Sequence, residues 1–129
     1  MTPTSETTPL LFRNTMRIRD DHLAGFREAI AEAVDFAERH GPQLMVQTFV
    51  DEDRMLAHSF QLYRDSEAVR VHWELSDPYI QQVMEHCEVE YFEVFGQPEP
   101  DVAERLREIL GDVNPGASPL LAGFTRFAA

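Results

Sequence analysis

Three polar side chains stand where their neighbours are apolar, and their types suit proton transfer and the stabilisation of developing negative charge. Asn14 interrupts the alternating Leu10, Phe12, Met16 and Ile18, and His58 falls in step with Leu56, Phe60 and Leu62. His72 lies four residues after Ala68, in a segment with helical spacing that starts at Ser66. A histidine titrates near pH 6.5 and can take up a proton close to neutrality. An amide can orient a carbonyl or donate to an oxyanion. Buried among apolar residues, Asn14 and His58 need partners, supplied either by each other or by a ligand.

The elements that must position these residues follow from periodicity. Leu10 to Ile18 alternates as a strand, with Arg13, Thr15 and Arg17 on the face away from Asn14. Asp20 or Asp21 can cap a helix whose Leu23, Phe26, Ile30, Ala33, Val34 and Ala37 form one stripe and which Gly41-Pro42 ends. Leu44 to Val50 and Met55 to Tyr63 read as two strands joined by the polar Asp51-Glu52-Asp53-Arg54 turn. Ser66 is expected to cap the helix that carries His72, and Asp77-Pro78 to begin another helical turn. Glu88 to Phe95 is a further strand. Asp101 and Glu104 resemble a capping box before Val102, Leu106, Ile109 and Leu110. Asn114-Pro115-Gly116 is a turn, and Leu120 to Phe127 is expected to form a last short strand.

This order predicts an α+β fold, an antiparallel sheet with helices on one face. Leu56, His58, Phe60 and Leu62 are expected to face the helices and Tyr63 the other side. That other side would hold Met45, Phe49, Tyr63 and either Tyr91 or Phe92, too apolar a set to leave wet, so a second subunit is its simplest cover. Arg13 and Arg17 would then meet carboxylates across that interface.

The totals restrict the function classes. A chain of 129 residues with 43% hydrophobic content supports one core. Its formal charge of −12 argues against nucleic acid and anionic membrane surfaces as partners. The single Cys87 cannot form an intramolecular disulfide, in keeping with a cytoplasmic setting, and no apolar run is long enough to span a membrane. Residues 1–9 read as a disordered leader. The five histidines lack compact metal-ligand spacings, and no glycine-rich phosphate loop is present, so neither metal nor cofactor is expected.

The turn Tyr63-Arg64-Asp65-Ser66-Glu67-Ala68, His72 four residues later, Ser76-Asp77-Pro78 and the closing Val94-Phe95-Gly96 resemble the antibiotic-biosynthesis monooxygenase family of the dimeric α/β-barrel group. The resemblance covers about residues 10–98 and implies a ferredoxin-like βαββαβ unit whose sheet packs on that of a second subunit. Residues 99–129 would be a helix and strand extension of the same domain. One departure is Gln61, where many members carry Glu, so no carboxylate role passes to that position.

The resemblance also implies a homodimer with one small-molecule pocket per subunit between sheet and helices. Its expected activity is a cofactor-independent monooxygenase acting on an aromatic or quinol-like substrate with molecular oxygen. In that reading His72 is the base, Asn14 and His58 orient polar groups, and Phe12, Phe60 and Trp73 form the wall. Alternatives stay open: these residues could be ordinary packing, and the protein a non-catalytic small-ligand-binding or accessory subunit. Asn14, Trp73 and His86 also match the residue types of the heme-degrading branch, although their spacing departs from it.

Overall fold

The computed structural model describes residues 9–111 and 117–126. The leader up to residue 8 and the Asn114 to Gly116 turn lie outside the described residues. The chain runs β1 (Leu10–Ile18), α1 (Leu23–His40), β2 (Met45–Asp51), β3 (Leu56–Tyr63), α2 (Ser66–Met84), β4 (Cys87–Phe95), α3 (Pro100–Leu110) and β5 (Ala117–Ser118). The sheet order is β2-β3-β1-β4-β5. The first four strands pair antiparallel in the ferredoxin-like arrangement, and β5 joins β4 in parallel, so the sheet is mixed. The expected strand at Leu120 to Phe127 is not formed over its described residues; pairing occurs earlier, at Ala117 and Ser118.

The local signals act differently from their simplest reading. Asp20 and Asp21 do not cap α1, which starts after His22, and Asp21 takes a left-handed turn at φ 66°. At α2 the cap is Asp65, whose carboxylate accepts from the Ala68 N–H at 2.9 Å. Ser66 Oγ instead accepts from the Glu99 N–H at 2.9 Å, tying the start of α2 to the start of α3. Helix α2 continues through Asp77-Pro78 without a new start. Proline removes one helical hydrogen bond to the carbonyl four residues back, but Glu74 and Pro78 are both exposed, so water can satisfy that group. Asp101 makes no capping box; it pairs with Arg70 of α2 at 2.6 Å, alongside Glu99 at 2.5 Å. These contacts hold Asp101 below the ordinary carboxylate range and fasten α3 over the sheet.

Packing divides the core in two. At one end of the sheet Leu10, Phe12, Tyr63, Val69 and Phe92 meet Val102 and Leu106 of α3. At the other end Met16, Ile18, Ala57 and Cys87 meet Phe26 of α1 and Val83 of α2. Burial of a side chain such as Phe26 contributes about 2 kcal/mol. Asn14, midway along β1, falls between the two clusters. The gap that it occupies is where the helices stand off the sheet.

The register of β3 is a correction to the sequence reading. Arg13 pairs with Phe60, Asn14 with Ser59 and Thr15 with His58, so Ala57, Ser59, Gln61 and Tyr63 face the helices. Leu56, His58, Phe60 and Leu62 lie on the open face. Apolarity pointed the other way because β3 carries hydrophobic residues on both faces, and a one-residue shift exchanges every side chain. Tyr63, expected on the open face, is fully buried under the helices.

The open face keeps Phe49, 54% exposed, and Tyr91, 46% exposed, whereas Phe92 is buried on the helix side. Its arginines are paired within the chain: Arg13 with Glu93 at 3.6 Å and Arg17 with Glu90 at 2.5 Å. No described helix is long and apolar enough to cross a membrane.

Candidate functional site

The gap around Asn14 opens into a hollow between sheet and helices, lined by Asn14, Ser59 and Gln61 from the sheet, Ile30 and Val34 from α1, and His72 and Ser76 from α2. The small side chain of Ser59 leaves room beneath the helices. The helical spacing of His72 and Ser76 places both on one face of α2, four residues apart.

Its walls mix aliphatic side chains with polar ones that include Gln43, Thr48 and Tyr79, and three of the polar atoms are unsatisfied. Asn14 Oδ1, Gln43 Oε1 and Ser76 Oγ are buried with no hydrogen-bond partner among the described residues. A buried acceptor left unpaired costs roughly 1–3 kcal/mol. Three together in one hollow form a place prepared for polar groups of a ligand or for ordered water.

His72 is held by the segment that leads into β2. Gln43 Nε2 lies 3.0 Å from His72 Nδ1, and the Tyr63 ring packs against the imidazole at 5.8 Å between centroids. Burial pushes the imidazole down to about 4, because the charged form would lose hydration without gaining a carboxylate. His72 is therefore neutral at physiological pH. In one orientation the Gln43 amide donates to Nδ1 and the ring proton sits on Nε2. Rotating the amide presents Oε1, which accepts from Nδ1–H and leaves Nε2 as the proton acceptor.

Tyr63 and Gln61 extend this polar seam. The Tyr63 hydroxyl donates to Gln61 Oε1 at 2.5 Å. Desolvation raises the Tyr63 pKa far above its ordinary value, while the nearby Gln43 amide acts in the opposite direction. The phenol is thus a fixed neutral donor that orients Gln61 toward the hollow.

The structure brings Asn14, His72, Phe12 and Trp73 together, since all four line a second hollow that adjoins the first and runs beneath α3. His58 and Phe60 are not there. They lie across the sheet on the open face, where His58 Nδ1 stands 3.5 Å from Thr15 Oγ1 and Phe60 lies against Phe49 and Arg13. His86 lines neither hollow and instead faces His22, with 3.1 Å between their Nδ1 atoms. The Asn14, Trp73 and His86 triplet is therefore not assembled in one pocket. Among the described residues no group of three or more histidine, cysteine or acidic side chains could hold a metal ion.

Gln43, Gln61, Tyr63 and Ser76 complete the site and were absent from the sequence-based assignment. Tyr63 and Gln61 were legible in principle from the small Ala57 and Ser59, which share their face and leave space for helices. Gln43 carried no signal, because its loop position says nothing of the side chain it meets.

Sheet order and helix placement define the class of fold: the chain has the ferredoxin-like fold seen in the antibiotic-biosynthesis monooxygenase-like proteins. Among solved structures it is similar to MupZ from Pseudomonas fluorescens, with a TM-score of 0.74 and 15% identity, covering 98% of this chain and 95% of that one. It is also similar to a variant of SnoaB, a cofactor-independent oxygenase from Streptomyces nogalater, with a TM-score of 0.59 and 15% identity over 70% of this chain and 94% of that one. A candidate antibiotic biosynthesis monooxygenase from Chloroflexus aurantiacus gives a TM-score of 0.58 and 11% identity over 67% and 89% of the two chains. At these identities the likeness is one of fold. No family model matches the chain, and no curated protein matches it.

Proposed function

We propose that this protein is a cofactor-independent monooxygenase acting on an aromatic or quinol-like small molecule. The observation that carries the reading is the neutral His72 beside the unpartnered buried Asn14 Oδ1 and Ser76 Oγ in one largely apolar hollow. The likeness of fold to a cofactor-independent oxygenase adds support.

The chemistry needs a base, an oxyanion partner and exclusion of bulk water. With Gln43 accepting from Nδ1–H, His72 Nε2 removes a proton from an acidic C–H of an anthrone-like substrate. The Asn14 amide steadies the enolate oxygen. The electron-rich carbon reduces molecular oxygen, a C–O bond forms, and the returning proton gives a hydroperoxide. Loss of water leaves a carbonyl: one oxygen atom enters the product, the other leaves as water, and no external reductant is required. Phe12 and Trp73 supply the aromatic wall; His58 and Phe60 have no part in this assignment.

The same reading takes the protein as a cytoplasmic homodimer, with the open apolar sheet face covered by a second copy. Oxygen uptake with a panel of anthrones and hydroquinones, without flavin or nicotinamide, tests the activity. Turnover that disappears in His72→Ala and Asn14→Ala supports it; turnover unchanged in both removes these assignments.

One observation favours a second reading. An imidazole lowered to about 4 is a weak base, better suited to hydrogen bonding than to deprotonating carbon. A non-catalytic small-ligand carrier or accessory subunit would retain a ligand under oxygen and release it unchanged.

A further inference from the structure

Ser76 lies in the middle of α2, only 4% exposed, and its hydroxyl oxygen has no hydrogen-bond partner among the described residues. A serine inside a helix can satisfy itself by donating to the carbonyl four residues back, and a buried hydroxyl that makes no bond lowers stability. Here that bond is not made, and the side chain lines the hollow beneath α1 one helical turn beyond His72. Asn14 lines the same hollow from the sheet, with its Oδ1 likewise unpaired. Gln43, Thr48, Ser59, Gln61 and Tyr79 add further amides and hydroxyls, and no lysine, arginine or acidic residue is among the lining side chains. The hollow is polar and uncharged.

Resting on the reading of this cavity as the substrate or ligand site, we propose that Ser76 determines specificity by binding a second hydroxyl group of a fused-ring aromatic ligand. The rings lie in the adjoining hollow against Phe12, Trp73 and Phe92. One ring oxygen meets Asn14 and His72, which line both hollows, and a second, on the edge of the rings beneath α1, meets Ser76. A hydroxyl suits this place because it both donates and accepts. An ether or a carbonyl could accept from Ser76 but would give nothing to the unpaired Asn14 Oδ1. A carboxylate or phosphate would bring a charge into a hollow with no cation to compensate it. The nearest candidate, Arg19, lines only the adjoining hollow and is paired with Glu88 at 3.0 Å. Alanine would fill the same space with no unpaired atom, so the hydroxyl serves binding at the expense of the unliganded fold.

Anaerobic calorimetric titration with 1-naphthol and with 1,5-, 1,6- and 1,7-dihydroxynaphthalene tests this. At least one diol is expected to bind about three- to tenfold more tightly than 1-naphthol, as one added hydrogen bond would give. The methyl ether of that second hydroxyl should bind no more tightly than 1-naphthol, and the carboxylate in its place more weakly. In Ser76→Ala the ratio of diol to 1-naphthol affinity should fall to within about twofold of one, while the unliganded variant melts at or above the wild-type temperature. Ser76→Cys, close in size and a weak donor, should lose the same advantage and serves if the alanine variant does not fold. The proposal is overturned if every diol binds like 1-naphthol, if the advantage survives in Ser76→Ala, or if unliganded Ser76→Ala melts well below the wild type. No affinity for any of the four compounds would remove the reading of the cavity itself and this proposal with it. Turnover of an anthrone by a protein that binds the diols and 1-naphthol alike would remove this proposal alone.

Discussion

Gln43 Nε2 stands 3.0 Å from Nδ1 of His72, so a side chain from the loop between α1 and β2 governs the tautomer of a histidine delivered by α2. The histidine is neutral because it is buried, and its reactive nitrogen depends on the orientation of an amide. The Gln43→Glu substitution should convert this balance into a fixed arrangement. A carboxylate can only accept from Nδ1–H, and its charge favours the imidazolium. The His72 pKa is expected to rise from about 4 toward or above its ordinary 6.5, as read by nuclear magnetic resonance titration of the ring. An unchanged titration would show that Gln43 does not hold the ring in solution.

The same depression has a consequence for stability. Between about pH 6.5 and pH 4 the unfolded chain binds a proton at His72 and the native chain does not, so stability falls as pH falls through this window. The contribution lost is on the order of 2 kcal/mol, allowing for solvent at the ring edge. Urea denaturation at pH 7 and at pH 4 should show a smaller drop for His72→Gln than for the wild type. Equal drops in both would contradict the buried neutral ring.

Tyr63→Phe removes the donor to Gln61 Oε1 and leaves that acceptor beneath the helices unpaired. A loss of about 1–2 kcal/mol is expected from equilibrium unfolding. The Tyr63→Phe/Gln61→Leu double variant should recover part of it, because both ends of the bond are then apolar. Additive losses would mean that the two side chains do not interact.

Gly25 is tied to His86. A Cβ at position 25 would lie 2.5 Å from Cε1 of the His86 ring, so Gly25→Ala must displace the ring from its contact with His22. In the wild-type background the substitution is expected to destabilise. In a His86→Ala background, where the obstacle is gone, it should gain up to about 1 kcal/mol from helix propensity. Thermal unfolding of the four proteins reads this reversal of sign, and the same sign in both backgrounds would refute the contact.

On the open sheet face Phe49 is 54% exposed and packs edge-on against Phe60 at 5.9 Å between ring centroids. If a second copy covers this face, Phe49→Asp places a charge in the interface and should shift the sedimentation mass from dimer to monomer. Its circular dichroism should remain that of a folded chain. A wild-type monomer at high concentration would exclude the homodimer.

Much of this fold was legible in the sequence, for a physical reason. In β1 one face is apolar and the other charged, so Leu10, Phe12, Met16 and Ile18 had only one way to turn, and Asn14 with them. The stripe on α1 and the helical spacing from Ala68 to His72 likewise follow from each element burying its own apolar side. Those patterns determined the order of elements, and with it the neighbourhood of Asn14, His72, Phe12 and Trp73.

The tertiary structure decided what local pattern leaves open. β3 is apolar on both faces, and its pairing with β1 sends Tyr63 and Gln61 inward and His58 and Phe60 outward. Hydrophobicity cannot orient a strand whose two faces are alike; only the register with its neighbour does. The meeting of Gln43 with His72 across 29 positions, and the seating of α3 through Arg70, Ser66 and Glu99, are long-range contacts with no periodic signature. They set the tautomer of the histidine and close one end of the pocket, and they exist only once the chain has folded.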